Sequence, residues 1–383
     1  MKKTKAKITR CFAAIFAVSA MLQMPIFVSA EEKTGSAPTV SAKSAVLIEA
    51  DSTQAVFEKN ADERLPMAST TKIMTAIVAL ENSDLDSTVE VAPQAAGVEG
   101  SSIYLKASEQ ILMSDLVYAL MLESANDAAA AIACEVSGSI EEFASLMNKT
   151  AAKIGLENTH FMNPHGLDDP EHYTTARDLA CLASYALKNP EFRKIVSTYK
   201  KTIPMGGDEG TRLLLNHNKL LKLYDSAFGV KTGFTKKSGR CLVSAAERDG
   251  VTMIAVTLNA PDDWNDHISM LDFGFEKYER VSLAEEGEVF TELPCIGGET
   301  SSVRCSNRDK LEMSLPRDTR VVTRIEADRY FPAPVKSGDA LARAVFYVDG
   351  CEIASLPLYA ENDVAESTKK LGFFEKIMIF LGR

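Results

Sequence analysis

Ser69-Thr70-Thr71-Lys72 sets a hydroxyl and an amine one helical turn apart, where a side chain three residues on can reach back to the first. Ser124-Ala125-Asn126 supplies a second hydroxyl and an amide, and Lys231-Thr232-Gly233 a cation, a hydroxyl and a residue without a side chain. Acyl transfer through a serine needs a nucleophile, a base within hydrogen-bond reach and donors for the oxyanion. These three motifs provide all of them without a histidine.

Lysine is a base only when neutral, and its ordinary pKa is about 10.4. Burial and a second nearby cation both disfavour its charged form, and Lys231 is the candidate for that cation. In this reading Ser69 is the nucleophile, Lys72 the base, and Ser124 the relay of a proton toward the leaving amine. Asn126 would hold an amide of the substrate, and Lys231 with Thr232 would face a terminal carboxylate. Gly233 would let its strand come close, and the N–H groups of Ser69 and Phe234 would face the oxyanion.

The elements that must position these residues are readable from periodicity. Ser44–Ala50 and Thr53–Glu58 flank Asp51-Ser52 as a hairpin. After Pro66 the apolar residues Ile73, Met74, Ile77, Val78 and Leu80 recur at helical spacing, with Ser69 in the first turn. Helices are predicted over Met113–Leu122 and Asp127–Glu135, joined by Ser124-Ala125-Asn126. Further helices are predicted over Ile140–Lys153, over Tyr173–Leu187 with Asn189-Pro190 stopping it, and over Asp262–Tyr278. Phe228–Lys231, Arg240–Glu247 and Thr252–Leu258 alternate as strands, the last two joined at Arg248-Asp249-Gly250. Strands at both ends of a helical middle predict an α+β fold, an antiparallel sheet of distant segments flanked by helices. Beyond Glu279 short alternating runs at Glu288–Leu293, Thr319–Ile325, Ala342–Val348 and Glu352–Tyr359 predict a small all-β domain.

The ends of the chain speak to location. Lys2 to Arg10 holds five positive charges and no negative one, Cys11 to Val28 is apolar, and Val28-Ser29-Ala30 is a small-residue cleavage site, the order of a secretory signal peptide. Without those 30 residues the chain would carry 37 basic and 53 acidic side chains, near −16, which argues against nucleic acid as a partner. Residues 31–43 lack large apolar side chains and read as a flexible leader. At the other end, Leu371, Phe374, Met378 and Leu381 form an apolar stripe with Lys369, Lys370 and Lys376 mostly opposite. That basic amphipathic helix is too short to span a membrane and suited to lying on one. The expected layout is signal 1–30, leader 31–43, catalytic domain 44–278, β-sandwich domain 279–362 and membrane-associating tail 363–383.

No C-x-x-C or H-E-x-x-H pattern occurs, so no metal and no cofactor is expected. Cys134, Cys181 and Cys241 read as small buried hydrophobes. Cys295 and Cys305 could pair or stay free in an exported protein.

Together the motifs resemble the S-x-x-K, S-x-N and K-T-G set of penicillin-interacting enzymes, and the chain looks like a low-molecular-mass penicillin-binding protein of the serine D-alanyl-D-alanine carboxypeptidase family. The likeness runs from Ser44 to Tyr278, through Leu65-Pro66-Met67-Ala68, Glu123 to Ala129, Asn158 to Leu167 and Gly229 to Thr235, and extends to the β domain and tail. It implies a β-lactamase/transpeptidase-like fold and removal of the terminal D-alanine from peptidoglycan pentapeptide stems outside the cytoplasm. It also implies acylation of Ser69 by β-lactam antibiotics. Ala125 stands where some members have glycine, Phe234 where some have histidine, and His217 in a segment where some have arginine, which leaves the part of His217 open. Three rivals remain. A class A β-lactamase would need a Glu-x-x-Leu-Asn segment, which the chain lacks. A non-catalytic wall-binding protein would not need the full catalytic set. A transpeptidase would pass the acyl group to an amine.

Overall fold

The computed structural model describes residues 36–206, 210–368 and 372. The signal segment, the first residues of the leader and nearly all of the amphipathic tail lie outside the described residues. A central antiparallel sheet is built from strands β1 (Ser44–Glu49), β2 (Ala55–Lys59), β7 (Ala227–Thr235), β8 (Gly239–Arg248) and β9 (Val251–Leu258), in the order β2-β1-β9-β8-β7. Between its two halves come two short ribbons, β3 (Thr88–Glu90) with β4 (Gln110–Leu112) and β5 (Lys200–Pro204) with β6 (Thr211–Leu215).

Strand β1 is buried along its whole length because both faces of the sheet are covered. Its Val46 and Ile48 face one apolar cluster with the helices α1 (Lys72–Asn82), α2 (Met113–Leu122), α3 (Asn126–Ser137), α4 (Ile140–Lys153), α5 (Ala176–Leu187) and α6 (Pro190–Ser197). Its Ala45 and Leu47 face a second cluster, with the short helix α7 (Leu220–Leu223) and α8 (Asp263–Lys277). In α1, Ile73, Met74, Ile77 and Val78 are all buried, as their spacing predicts.

Several expectations are corrected. Ser69 lies in a 3₁₀ turn, Ala68–Thr71, and α1 begins only at Lys72. Lys231-Thr232-Gly233 sits within β7, which continues to Thr235, and does not end it. The leader is not flexible at its end: the carboxylate of Asp266 on α8 accepts the N–H of Ser41 (2.8 Å), the hydroxyl of Ser41 (2.8 Å) and the N–H of Ala42 (3.0 Å). Val40 and Ala42 join the second cluster. The helix expected from Tyr173 starts at Ala176, because the Thr175 side chain caps it by accepting the Asp178 N–H. Pro190 stops α5 and also opens α6, with Asn189 as its cap. The β5–β6 ribbon has no counterpart in the sequence reading.

From Tyr278 the chain is all β. Strand β10 (Tyr278–Ala284) pairs with β13 (Leu311–Pro316). β11 (Val289–Ile296), β12 (Ser302–Ser306), β14 (Val322–Ala327), β15 (Phe331–Pro332), β16 (Ala340–Val348) and β17 (Cys351–Ala360) form a six-stranded sheet ordered β14-β16-β17-β12-β11-β15. Cys295 and Cys305 are free and buried in its core, and Cys305 lies opposite Thr291 in the β11–β12 register. Cys134 and Cys181 are only partly buried, whereas Cys241 is buried.

One loop deserves its place in the fold because it holds the site together. The Asn163 side chain accepts the N–H groups of His165 (3.3 Å) and Gly166 (2.7 Å), folding Asn163-Pro164-His165-Gly166 into a tight turn. That turn docks on α1, where the Thr75 hydroxyl donates to Pro164 O at 2.6 Å. Gly166 has φ +88°, and a Cβ there would fall 2.0 Å from Ala68 O, directly behind Ser69. Gly166→Ala is therefore expected to destabilise the protein by about 2–4 kcal/mol, through the left-handed backbone penalty and forced overpacking, measured as a urea midpoint shift. A shift too small to measure would show that this packing is not needed.

Candidate active site

The 3₁₀ turn gives the spacing of three its meaning, since side chains at i and i+3 eclipse in that geometry. Lys72 Nζ lies 3.0 Å from Ser69 Oγ, and it also donates to Asn126 Oδ1 at 2.7 Å and to the carbonyl of His165 at 2.5 Å. A neutral amine fits this arrangement. It gives its two N–H groups to the amide and the carbonyl and turns its lone pair to the hydroxyl of Ser69.

Lys72 is fully buried and Lys231 is 2% exposed. Burial first, and then the charge of Lys231, hold the Lys72 pKa well below its ordinary value, while Asp127 pulls it back up. Burial alone pushes Lys231 down to about 7, and its Nζ donates to Thr232 O at 3.0 Å. No carboxylate pairs with Lys231 among the described residues. Asp127 is itself committed. Its carboxylate accepts Ser102 Oγ and the N–H groups of Ile103, Leu105 and Ala128, which fixes the loop that carries Ser101.

Ser124 turns the chain between α2 and α3 with a left-handed backbone (φ 59°), uncommon for a residue with a side chain. It lines a cavity of about 360 Å³ together with Ser69, Ser101, Thr232, Gly233 and Phe234. Asn126 is engaged at both ends, by Lys72 and through its Nδ2 by Glu99 O at 2.5 Å. Gly233 is the point of closest approach between sheet and turn, since a Cβ on it would lie 3.0 Å from Ser69 N and 3.1 Å from Thr70 N. Phe234 is 65% exposed at the cavity mouth.

Thus Lys72 bonds both Ser69 and Asn126, Ser124, Thr232, Gly233 and Phe234 line the cavity, and Lys231 stands beside Lys72 outside the cavity lining. His217 also lines the cavity, paired with Glu123 at 3.3 Å. The sequence reading missed the His165 carbonyl, Asp127 and Ser101. Asn-Pro-His-Gly was the available signal for the first, because glycine after an Asn-Pro turn marks a place of close packing. His165 and His172 are both neutral by burial, pushed to about 3 and about 4. His172 accepts the Met162 N–H at Nδ1, so its Nε2–H meets Thr71 Oγ1 at 2.7 Å and braces the turn. No cluster suited to a metal ion occurs among the described residues.

Comparison with known proteins agrees in kind. Residues 31–262 match the D-alanyl-D-alanine carboxypeptidase family and residues 278–366 match the penicillin-binding protein 5 C-terminal domain. The chain is 34% identical over 343 residues to the D-alanyl-D-alanine carboxypeptidase DacF of Bacillus subtilis, covering 87% of each. It is 31% identical over 370 residues to DacC of Escherichia coli, covering 92% of this chain and 90% of that one. The structure of penicillin-binding protein 5 from Haemophilus influenzae superposes with a TM-score of 0.67 at 30% identity, covering 86% of this chain and 99% of that one.

The amine pair makes a prediction about pH. Lys231→Met removes the cation that helps to hold Lys72 neutral, so the Lys72 pKa rises and less free amine is present at a given pH. The ascending limb of Ser69 acylation by a fluorescent penicillin, measured as a second-order rate against pH, should move to higher pH. A limb that stays in place would remove Lys231 from the activation of Lys72.

Proposed function

The chain belongs to the D-alanyl-D-alanine carboxypeptidase family, and from that premise we propose how its own residues carry out the reaction. The enzyme is a serine-type carboxypeptidase, and β-lactam acylation fits its class. The observation that carries the residue assignment is the buried Lys72 amine 3.0 Å from the Ser69 hydroxyl.

In the proposed sequence Ser69 Oγ attacks the carbonyl of the penultimate D-alanine while Lys72 takes its proton. The N–H groups of Ser69 and Phe234 receive the developing oxyanion. Ser124, on the cavity wall, passes its proton to the amine of the departing D-alanine as the C–N bond breaks and takes in return the proton held by Lys72, which leaves Lys72 neutral. Water then attacks the acyl-enzyme, Lys72 takes its proton, and that proton passes to Ser69 Oγ as the ester bond breaks. Asn126 holds Lys72 in line and offers the substrate's amide the Nδ2 hydrogen not given to Glu99. Thr232 meets the terminal carboxylate. Lys231 acts through its charge on Lys72.

Residues 44–278, with Val40 and Ala42 packed into them, form the catalytic part, and a β part that takes in Val364 follows from 279, both outside the cytoplasm. The amphipathic run from Ser367 to Arg383 attaches the protein to a membrane surface by its apolar stripe and lysines. Among the described residues no helix is long and apolar enough to cross a membrane.

Mass spectrometry of a pentapeptide incubated with the wild-type protein should show loss of one alanine, and none with Ser69→Ala. Release by the variant at the wild-type rate would overturn the assignment of the nucleophile. Removing Ser367 to Arg383 should move the protein from the membrane pellet to the supernatant with its rate on a soluble peptide unchanged. Continued sedimentation with membranes would refute the anchor.

A further inference from the structure

A terminal carboxylate needs a cation, and strand geometry separates the two residues that the motif offers for it. Successive side chains of a strand point to opposite faces. Lys231 lies opposite Val243, on the face of the helical cluster, whereas Thr232 lies opposite Leu242, on the face of the second cluster. Lys231 is buried and does not line the cavity, and Thr232 does.

The cation on the Thr232 face comes from the next strand. Arg240 pairs with Phe234 in the β7–β8 register, which makes it the diagonal neighbour of Thr232 on one face. Such neighbours are about 7 Å apart, within reach of a long side chain. Arg240 lines the same cavity as Ser69 and Thr232. Its Nε is paired with Asp263 Oδ1 at 3.0 Å, and its guanidinium carbon lies 5.7 Å from the Trp264 ring centre. Asp263 is 2% exposed, in the first turn of α8, so the anchor is rigid. Among the described residues its two terminal nitrogens make no hydrogen bond, and the side chain is 43% exposed.

A guanidinium held by one edge, with paired N–H groups free at the other, is built for the two oxygens of a carboxylate. We propose that Arg240, aimed by Asp263 and Trp264, receives the terminal carboxylate of the stem peptide together with the Thr232 hydroxyl. This assignment rests on the carboxypeptidase reading of the site and names the residue that selects a free C-terminus. It also accounts for Asp263. A buried carboxylate at the rim of a site for anions would repel the substrate unless a cation covered it, and Arg240 covers it. Two other basic side chains line the cavity. His217 is already paired with Glu123, and Lys219 lies exposed on the loop before α7.

The test compares one peptide ending in D-Ala-D-Ala as the free acid and as the C-terminal amide, with kcat/KM measured for both. The wild-type enzyme should prefer the acid by about 10- to 100-fold, the scale of a charge-assisted hydrogen-bond pair. Arg240→Gln should shrink that preference to within about 3-fold and leave the rate on the amide near wild type, and Arg240→Lys should fall between. Lys219→Gln should keep the preference. Full preference in Arg240→Gln would overturn the proposal, as would equal loss on acid and amide or loss of preference in Lys219→Gln. Failure of the wild-type enzyme to cleave either peptide would instead overturn the carboxypeptidase reading beneath it.

Discussion

Two lysine amines are buried near each other with no carboxylate bonded to either among the described residues, and most of the catalytic half of the molecule can be read as a consequence of that placement. An isolated ammonium in a protein interior costs several kcal/mol, and a second like charge nearby adds to it. The cheapest state leaves one amine uncharged, which is the state acyl transfer needs. Burial and the charge of Lys231 push Lys72 toward that form, and its carbonyl, amide and hydroxyl neighbours serve a neutral amine as well as an ammonium. In the proposed mechanism the activation of Ser69 is therefore stored in the folding free energy, in the burial of Lys72.

Burying a lysine beside a nucleophile that must meet substrate demands close packing on three sides. The sheet comes in at Gly233, within about a methyl group of the Ser69 amide. The 163–166 turn comes in at Gly166, against Ala68. The Ser124 connection comes in with a strained backbone, so that its hydroxyl reaches the cavity and helix α3 can start at once with Asn126. Each approach uses a residue that the ordinary rules of propensity disfavour inside regular structure. Strain gathers where function needs it and is held there by the well-packed core around it.

What the sequence made legible follows from this. Ser69, Lys72, Ser124, Asn126 and Lys231 could be picked out because their chemistry lies in their side chains. The helices were legible wherever one apolar stripe faces one core, as in α1. Strand β1 was legible at Ser44–Ala50, but the residues before it were harder, because cover on both faces of the sheet lets Val40 and Ala42 serve a core that small residues do not advertise. The pinning of the leader depends on Asp266, more than 200 positions away. The His165 carbonyl was invisible for a different reason, since a backbone acceptor has no letter. Arg240 was hidden by register. Nothing local relates it to Thr232 until β7 and β8 are paired, and a one-residue slip would have turned it to the other face.

Helix α8 joins these separate observations. Its fifteen residues make a rod about 22 Å long. At one end Asp263 aims Arg240 and Asp266 clamps Ser41 and Ala42, two acids in the first turn where the helix dipole favours negative charge. At the other end Arg317, from the β part, donates to Glu276 O at 3.1 Å while its own N–H donates to Lys277 O at 2.8 Å, covering carbonyls that the helix leaves unpaired. One face of the rod packs on the sheet through Met270, Leu271 and Phe275. A single element thus fixes the rim of the cavity, ties down the leader and receives the β part. Among the described residues the β part adds none to the cavity lining, but it caps the helix whose other end carries the cavity rim.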